Sequence, residues 1–286
     1  MRRSRTAARI AVLCVLVLSA SCDPGLGMAA QTAPDLSSGA GPDVSMPEAV
    51  STGPRAGLIW TGDAETGDLS QFRDAPWNNV GGTPPQVVTS PVRDGKYAIK
   101  LGIPGATTPA DGICCGSRDE LLPKVPDLEE CNDLYFGFST YLAPGFPVAD
   151  VWQLITQFKQ NFDGPPPLGL YVEQGHYRIE GGDGLPSGPK PFIIPLSAAT
   201  TGRWEDWVLH VKFSTKPAIG YVEVWQNGVL VLPRYAPASG TLYPGTGSEA
   251  GSYVKTGPYR DPAITTPETM YLDNWRIGTT HASVAR

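Results

Sequence analysis

The sequence has no run able to cross a bilayer as a helix, which takes about 20 apolar residues. Its most apolar stretch, IAVLCVLVLSA, occupies only residues 10–20. It has no C-x-x-C pair and only three scattered histidines, which argues against a zinc site. No G-x-S-x-G is present, so the nucleophile elbow of a serine hydrolase is missing. Positive charge is also short: 22 Lys and Arg stand against 28 Asp and Glu, a formal net charge of -6. A nucleic-acid binder carries a basic surplus, so that class is disfavoured, although a local basic cleft can sit on an acidic protein. Finally, 33 Gly and 29 Pro break up any long helical window, because helix interiors tolerate neither. What remains is a turn-rich β protein.

Residues 1–21 have the form of a secretory signal, with Arg2, Arg3, Arg5 and Arg9 before the apolar stretch. Loss of these four positive charges takes the net charge from -6 to -10. Ser19-Ala20-Ser21-Cys22 resembles a lipoprotein cleavage box, except that Leu18 stands one place too early. Two outcomes stay open: a lipid anchor at Cys22, or simple secretion with cleavage after Ala20 or Ala30. Residues 22–56 are rich in Ala, Gly, Pro and Ser without apolar periodicity, the composition of a flexible tether. A folded domain is expected over 57–281, exported or held at the cell surface, without a transmembrane segment and as a monomer.

Short alternating runs fill that domain: KYAIKLGI (96–103), LYFGFSTYL (134–142), WQLITQFK (152–159), LGLYVEQGHYRIE (168–180), WEDWVLHVKF (204–213), YVEVWQNGVLVL (221–232) and MYLDNWRIG (270–278). Each fits a strand better than a helix. Asn227-Gly228 marks a tight hairpin, since a type I′ turn needs positive φ at both central residues. With no fixed-period repeat, the expected fold is all-β, a two-sheet antiparallel jelly-roll sandwich.

Cys114, Cys115 and Cys131 remain for an oxidising compartment. A disulfide from Cys115 to Cys131, or from Cys114 as the alternative, would staple the connection into the strand at 134–142. Glu65, near the start of the domain, and Asp273, near its end, are candidate ligands of a structural calcium if the first and last strands lie side by side. The other reading is ordinary acidic turn residues.

Three distant segments place long polar side chains at even spacings: SRDEL (117–121), TQFKQ (156–160) and YVKTGPY (253–259). Successive residues of a strand face opposite sides, so Arg118 with Glu120, Gln157 with Lys159, and Tyr253 with Lys255 should each share a sheet face. These segments resemble the R-x-E-L, Q-x-H and Y-x-K-x-G-x-Y strand motifs of the heparin lyase I-like and alginate lyase-like jelly-roll polysaccharide lyases. The flanks W-x-G-D-x-E-x-G-D-L-S, the V-W-x-N-G turn and the closing Y-L-D-N-x-R-I-G are similar to the same group, including its glucuronan lyase branch. The resemblance spans 58–278 and implies a concanavalin A-like sandwich acting on an acidic polysaccharide, with no catalytic cofactor.

It further implies β-elimination at a uronate. By motif position, Arg118 and Gln157 bind or neutralise the carboxylate, Lys255 supports them, and Tyr259 is the base or acid. Cationic neighbours Arg118, Lys159, Lys255 and Arg260 are expected to lower the tyrosine's pKa from near 10. Lys159 stands where the family usually has histidine, which moves both proton transfers onto Tyr259. Glu120, Tyr253, His176, Arg260 and Tyr171 are further candidates for substrate contact; His176 is a candidate for the missing ring, whereas His210 is expected to be structural. A noncatalytic glycan-binding module using Trp152, Tyr171 and Trp225 is the competing reading. A glycoside hydrolase, needing two carboxylates across the scissile bond, is the third.

Overall fold

The computed structural model describes residues 55–73, 78–106, 116–148, 150–161, 164–183 and 191–286. The expected signal, the tether, Cys22, Cys114 and Cys115 lie outside them. Fifteen strands form in chain order: β1 (Leu58–Gly62), β2 (Asn78–Val80), β3 (Gln86–Val88), β4 (Ala98–Ile103), β5 (Arg118–Glu120), β6 (Asp133–Leu142), β7 (Gln153–Gln160) and β8 (Leu168–Glu173). They continue with β9 (His176–Gly181), β10 (Phe192–Ala198), β11 (Trp204–Lys212), β12 (Tyr221–Gln226), β13 (Val229–Tyr235), β14 (Ser252–Arg260) and β15 (Glu268–Gly278), and a one-turn helix α1 (His281–Val284) closes the chain. Among the described residues no helix is long and apolar enough to cross a membrane.

The strands build the expected antiparallel jelly-roll sandwich. One sheet runs β13-β12-β11-β6-β15-β4-β3 with β1 also on β15, and the other runs β10-β9-β8-β7-β14-β5-β2. The sheets meet through aromatic side chains. Phe136 of β6 packs edge-on against Phe158 of β7 at 4.8 Å, and Trp207 of β11 edge-on against Tyr177 of β9 at 4.8 Å. Each such side chain removed from water contributes roughly 1.5–3 kcal/mol. Polar groups also pair across this layer: the Trp275 indole donates to Thr256 Oγ1 at 3.2 Å, and the hydroxyls of Thr156 and Thr256 meet at 3.1 Å.

Turn chemistry fixes the registers. Asn227 and Gly228 have φ of 51° and 79°, as the hairpin signal requires, and Gln174 and Gly175 repeat this at 52° and 72°. The run at 168–180 is therefore two strands around a tight turn. Strand β10 was not among the expected strands because Pro195 interrupts its pattern. It lies at the edge of its sheet with a register shift after Pro195, where a missing N–H costs no interior ladder bond.

Cys131 is disulfide-bonded, and its expected partners fall outside the described residues. Glu65 and Asp273 do approach each other, β1 and β15 being paired. Their oxygens are occupied by N–H donors: Glu65 Oε1 takes the amides of Lys96 and Tyr97, while Asp273 takes those of Arg93, Asp94 and Asn274. The two carboxylates thus clamp the 93–97 turn. Among the described residues no three His, Cys, Asp or Glu side chains gather as metal ligands.

Burial raises three carboxyls of the sandwich: Asp119 to about 7, Glu268 to about 7 and Asp273 to about 6. A group whose folded pKa lies above its unfolded value stabilises the fold below the unfolded pKa and loses that contribution as pH rises through the folded one. Thermal melts should therefore give a higher midpoint near pH 5 than near pH 8. A midpoint that climbs steadily between those values would contradict this assignment.

Candidate active site

The face of the seven-stranded sheet turned away from the core carries a cleft of about 590 Å³. Five of the side chains expected from the sequence line it together: Arg118, Gln157, Lys159, Lys255 and Tyr259, with Tyr171 beside them. Strand pairing brings them there. Tyr259 lies opposite Arg118 across β14–β5, and Lys255 and Tyr253 lie opposite Gln157 and Lys159 across β14–β7.

A bulge sets the tyrosine. Between Thr256 and Tyr259, β14 has one residue more than β7, and Gly257 occupies the bend with φ of 128°. A Cβ at Gly257 would stand 2.2 Å from the Asp119 carbonyl oxygen, so no other residue lets β14 approach β5 this closely. The Tyr259 ring is then fixed from two sides. The Arg118 guanidinium lies over it at 4.1 Å, and Trp152 packs edge-on at 4.8 Å.

Glu120, expected to touch substrate, instead lies fully buried beneath the cleft floor. One carboxylate oxygen accepts from Gln157 Nε2 at 2.5 Å, and the other faces Lys255 Nζ at 3.5 Å. It positions the two residues that reach the cleft. Arg260 is a second departure. Its side chain turns away from Tyr259 and is fully buried, donating to the carbonyls of Thr266 and Gly105 and pairing with Glu268 at 3.2 Å. Tyr253 is half-buried and not on the cleft wall.

His176 stands exposed at the β8–β9 turn, its Nδ1 against the Gln174 carbonyl at 2.8 Å, and lies outside the cleft lining. It does not supply the missing ring. His210 is held in the opposite sheet between Glu223 and Asp133, at 2.5 and 2.7 Å.

The expected lowering of the Tyr259 pKa does not occur. Burial is the larger effect and holds the phenol above its ordinary value, with Arg118 pulling it down and Glu120 pushing it up. Arg260 is too far turned, and Lys255 is already committed to Glu120.

With this geometry in place, the match to known proteins can be read. The sequence model of the polysaccharide lyase family matches residues 64–276. The chain belongs to that family. No curated protein matches the chain. Among solved structures, the cellulose-induced protein Cip1 superposes with a TM-score of 0.52 at 17% identity, over 78% of this chain and 98% of its own. The catalytic domain of a glycoside hydrolase family 131 protein from Coprinopsis cinerea gives 0.50 at 14%, over 81% and 98%. A family 7 alginate lyase, A1-II′, gives 0.48 at 13%, over 77% and 92%. At these identities the likeness to Cip1 and to the family 131 domain is one of fold.

The lyase-family motifs leave out the other end of the cleft, where Glu173, Arg178, Glu180 and Asp183 stand. Arg178 is buried and pairs with Glu173 and, at 3.0 Å, with Glu180. Burial raises the Glu180 carboxyl, against the lowering by Arg178. Strand parity would have found these residues: Tyr177 and Ile179 enter the core, so Arg178 and Glu180 face the cleft. Gly169, in register with both Gln157 and Glu180, makes room for Leu154 and Tyr171, which a Cβ there would meet at 2.8 Å.

Removing the charge of Glu120 takes away the counter-charge of a buried lysine. Glu120→Gln should cost about 3 kcal/mol in urea unfolding, and adding Lys255→Met should restore most of it. Equal stability of the single variant and the parent would show that the pair does not hold the cleft floor.

Proposed function

We propose that the protein is an extracytoplasmic polysaccharide lyase that cleaves a uronic-acid-containing polymer by β-elimination at this cleft. The observation that carries the reading is the joint presence of Arg118, Gln157, Lys159, Lys255 and Tyr259 on one wall, with the Tyr259 ring pinned under the guanidinium. The leader-like N-terminus and the disulfide at Cys131 both fit an oxidising compartment, with lipidation at Cys22 or plain secretion as the two routes.

The C5 proton of a uronate is a very weak acid. Its removal becomes feasible when donors neutralise the adjacent carboxylate, since the charge then spreads onto oxygens held in place. Arg118 and the second amide hydrogen of Gln157 take the carboxylate, Lys159 adds positive charge, and Lys255 supports them from its pair with Glu120. Tyr259, as phenolate, removes the C5 proton. The electron pair forms the C4–C5 double bond as the C4–O bond breaks, and the leaving oxygen takes the proton back from Tyr259. One group on one face of the sugar thus serves both steps, which suits a syn elimination and glucuronate- or mannuronate-type stereochemistry. A glucuronan lyase-like specificity follows as the finer reading.

The acidic end narrows the substrate. Three carboxylates against one guanidinium repel a second uronate, so an uncharged sugar is placed over Arg178 while the uronate sits beside Tyr259. The binding-module reading needs Trp152, Tyr171 and Trp225 on one platform. Trp225 instead lines a pocket of the other sheet.

Glucuronan, alginate, heparin and mixed uronate polymers should be assayed for the ultraviolet absorbance of unsaturated uronate ends. Tyr259→Phe should lower kcat by about 10²–10⁴-fold, and full activity in that variant would sink the assignment. Because the phenol is held above 10, kcat/KM should rise with pH through the mildly alkaline range. A profile flat from about pH 6 to 9 speaks against a phenolate base. Glu180→Gln with Asp183→Asn should shift preference toward continuous uronans by about tenfold; an unchanged ratio would remove the subsite assignment. Hydrolytic products without unsaturated ends would favour the hydrolase reading.

A further inference from the structure

A second pocket, of about 530 Å³, lies on the outer face of the eight-stranded sheet beneath α1. Asn274 and Arg276 of β15, His281 of α1, and Trp204 and Trp225 of β11 and β12 are on its walls. Three of its polar atoms, two of them certain donors, have no partner among the described residues. Asn274 is 4% exposed, and its Oδ1 accepts from Arg276 Nη2 at 3.0 Å. This leaves Asn274 Nδ2 and Arg276 Nη1 buried with no partner among the described residues, and His281 Nε2 in the same condition.

Burying an amide or guanidinium hydrogen without an acceptor costs about 1–3 kcal/mol, more when the group is charged. Two such groups side by side, with the unpartnered His281 Nε2 in the same pocket, are therefore a built feature. The local backbone is specialised too: Asn274 has φ of 56°, and the β15–β6 register shifts between Asp273 and Arg276.

The acidic groups nearby are already engaged. Asp206 is bound by Arg93 through two hydrogen bonds, of 3.0 and 2.6 Å, and Asp273 takes backbone amides. No carboxylate is paired with Arg276 among the described residues. The groups left over call for a ligand rich in acceptor oxygens and carrying negative charge. Trp204 and Trp225 are half-buried, and Trp225 packs edge-on against His281 at 4.9 Å. An indole face of this kind suits the C–H face of a pyranose.

We propose that this pocket is a second saccharide site that takes an acidic sugar unit, with its carboxylate against Asn274 Nδ2 and Arg276 Nη1 and its ring against Trp225. It shares the acidic-sugar class with the proposed function but stands on other residues, in the other sheet. It would hold a polymer chain on the face away from the cleft.

The test uses the full chain, isotope-labelled, in the Tyr259→Phe background, so that binding is read without turnover. D-glucuronate, D-glucose and inorganic phosphate are titrated separately while amide spectra are recorded. Glucuronate should shift the amides of residues 225, 274–276 and 281–284. Asn274→Gly, which keeps the left-handed backbone while removing Nδ2, and Trp225→Ala should each weaken this binding by about tenfold. Arg276→Gln should do the same, with melting temperature checking that each variant is folded. Shifts confined to the cleft overturn the proposal, as does equal binding of glucose. Phosphate binding that matches glucuronate and is indifferent to Trp225→Ala marks a bare oxyanion site, which also overturns it. Absence of unsaturated products from the parent chain on every uronan assayed, with these shifts intact, would reject the lyase mechanism and leave the second site standing.

Discussion

The cleft depends on one buried carboxylate. Glu120 is 1% exposed, and stripping water from an ionised carboxylate costs several kcal/mol unless charge and hydrogen bonds replace it. Lys255 and Gln157 supply that replacement from β14 and β7, the strands that must lie side by side for the cleft to exist. The same contacts that lower the cost of burial therefore fix the direction of the ammonium and the amide. Asp119, one residue earlier, points the other way and accepts from Gly102 and Asn79, tying β5 to its surroundings. A three-residue strand is thereby anchored on both faces by acids rather than by apolar bulk.

Much of this was legible in the sequence, because parity along a strand is a simple rule. Gln157 with Lys159, and Thr156 with Phe158, divide between cleft and core as period-two alternation requires. The rule stops at bulges. Leu154 lines the cleft although it shares parity with Thr156, and Ile155 joins the core, because the β7–β8 register shifts between Leu154 and Thr156. Parity also cannot tell depth. It put Glu120 on the same face as Arg118, which is correct, but gave no sign that one is buried under the floor and the other stands on it. Arg260 follows Tyr259 and so had to face the core side, a consequence available from the sequence but overridden by counting its charge with the cluster.

The chemistry turns on a contest between burial and charge. The sequence supplies cations near Tyr259, and each taken singly would favour phenolate. In the fold, packing by Trp152 and the loss of water outweigh Arg118, while Lys255 spends its charge on Glu120. A tyrosine with a raised pKa is scarce as a base but strong when formed. As a phenol it is also ready to return a proton to a leaving oxygen. In the proposed mechanism, preorganisation thus favours the acid half of the cycle in the free protein.

The two ends of the cleft then act in opposite directions on a charged polymer. On the proposed reading Arg118 and Lys159 attract a carboxylate to the tyrosine, whereas Glu173 and Glu180 share one arginine at the far end, with Asp183 beside them. Field lines inside a low-dielectric groove are focused rather than averaged, so the acids are not cancelled by the cations at the other end. A chain laid along the groove can place a negative sugar at only one end without penalty. On the proposed lyase reading, register therefore comes from repulsion as much as from attraction, and the bond presented to Tyr259 is chosen by where the polymer carries no charge.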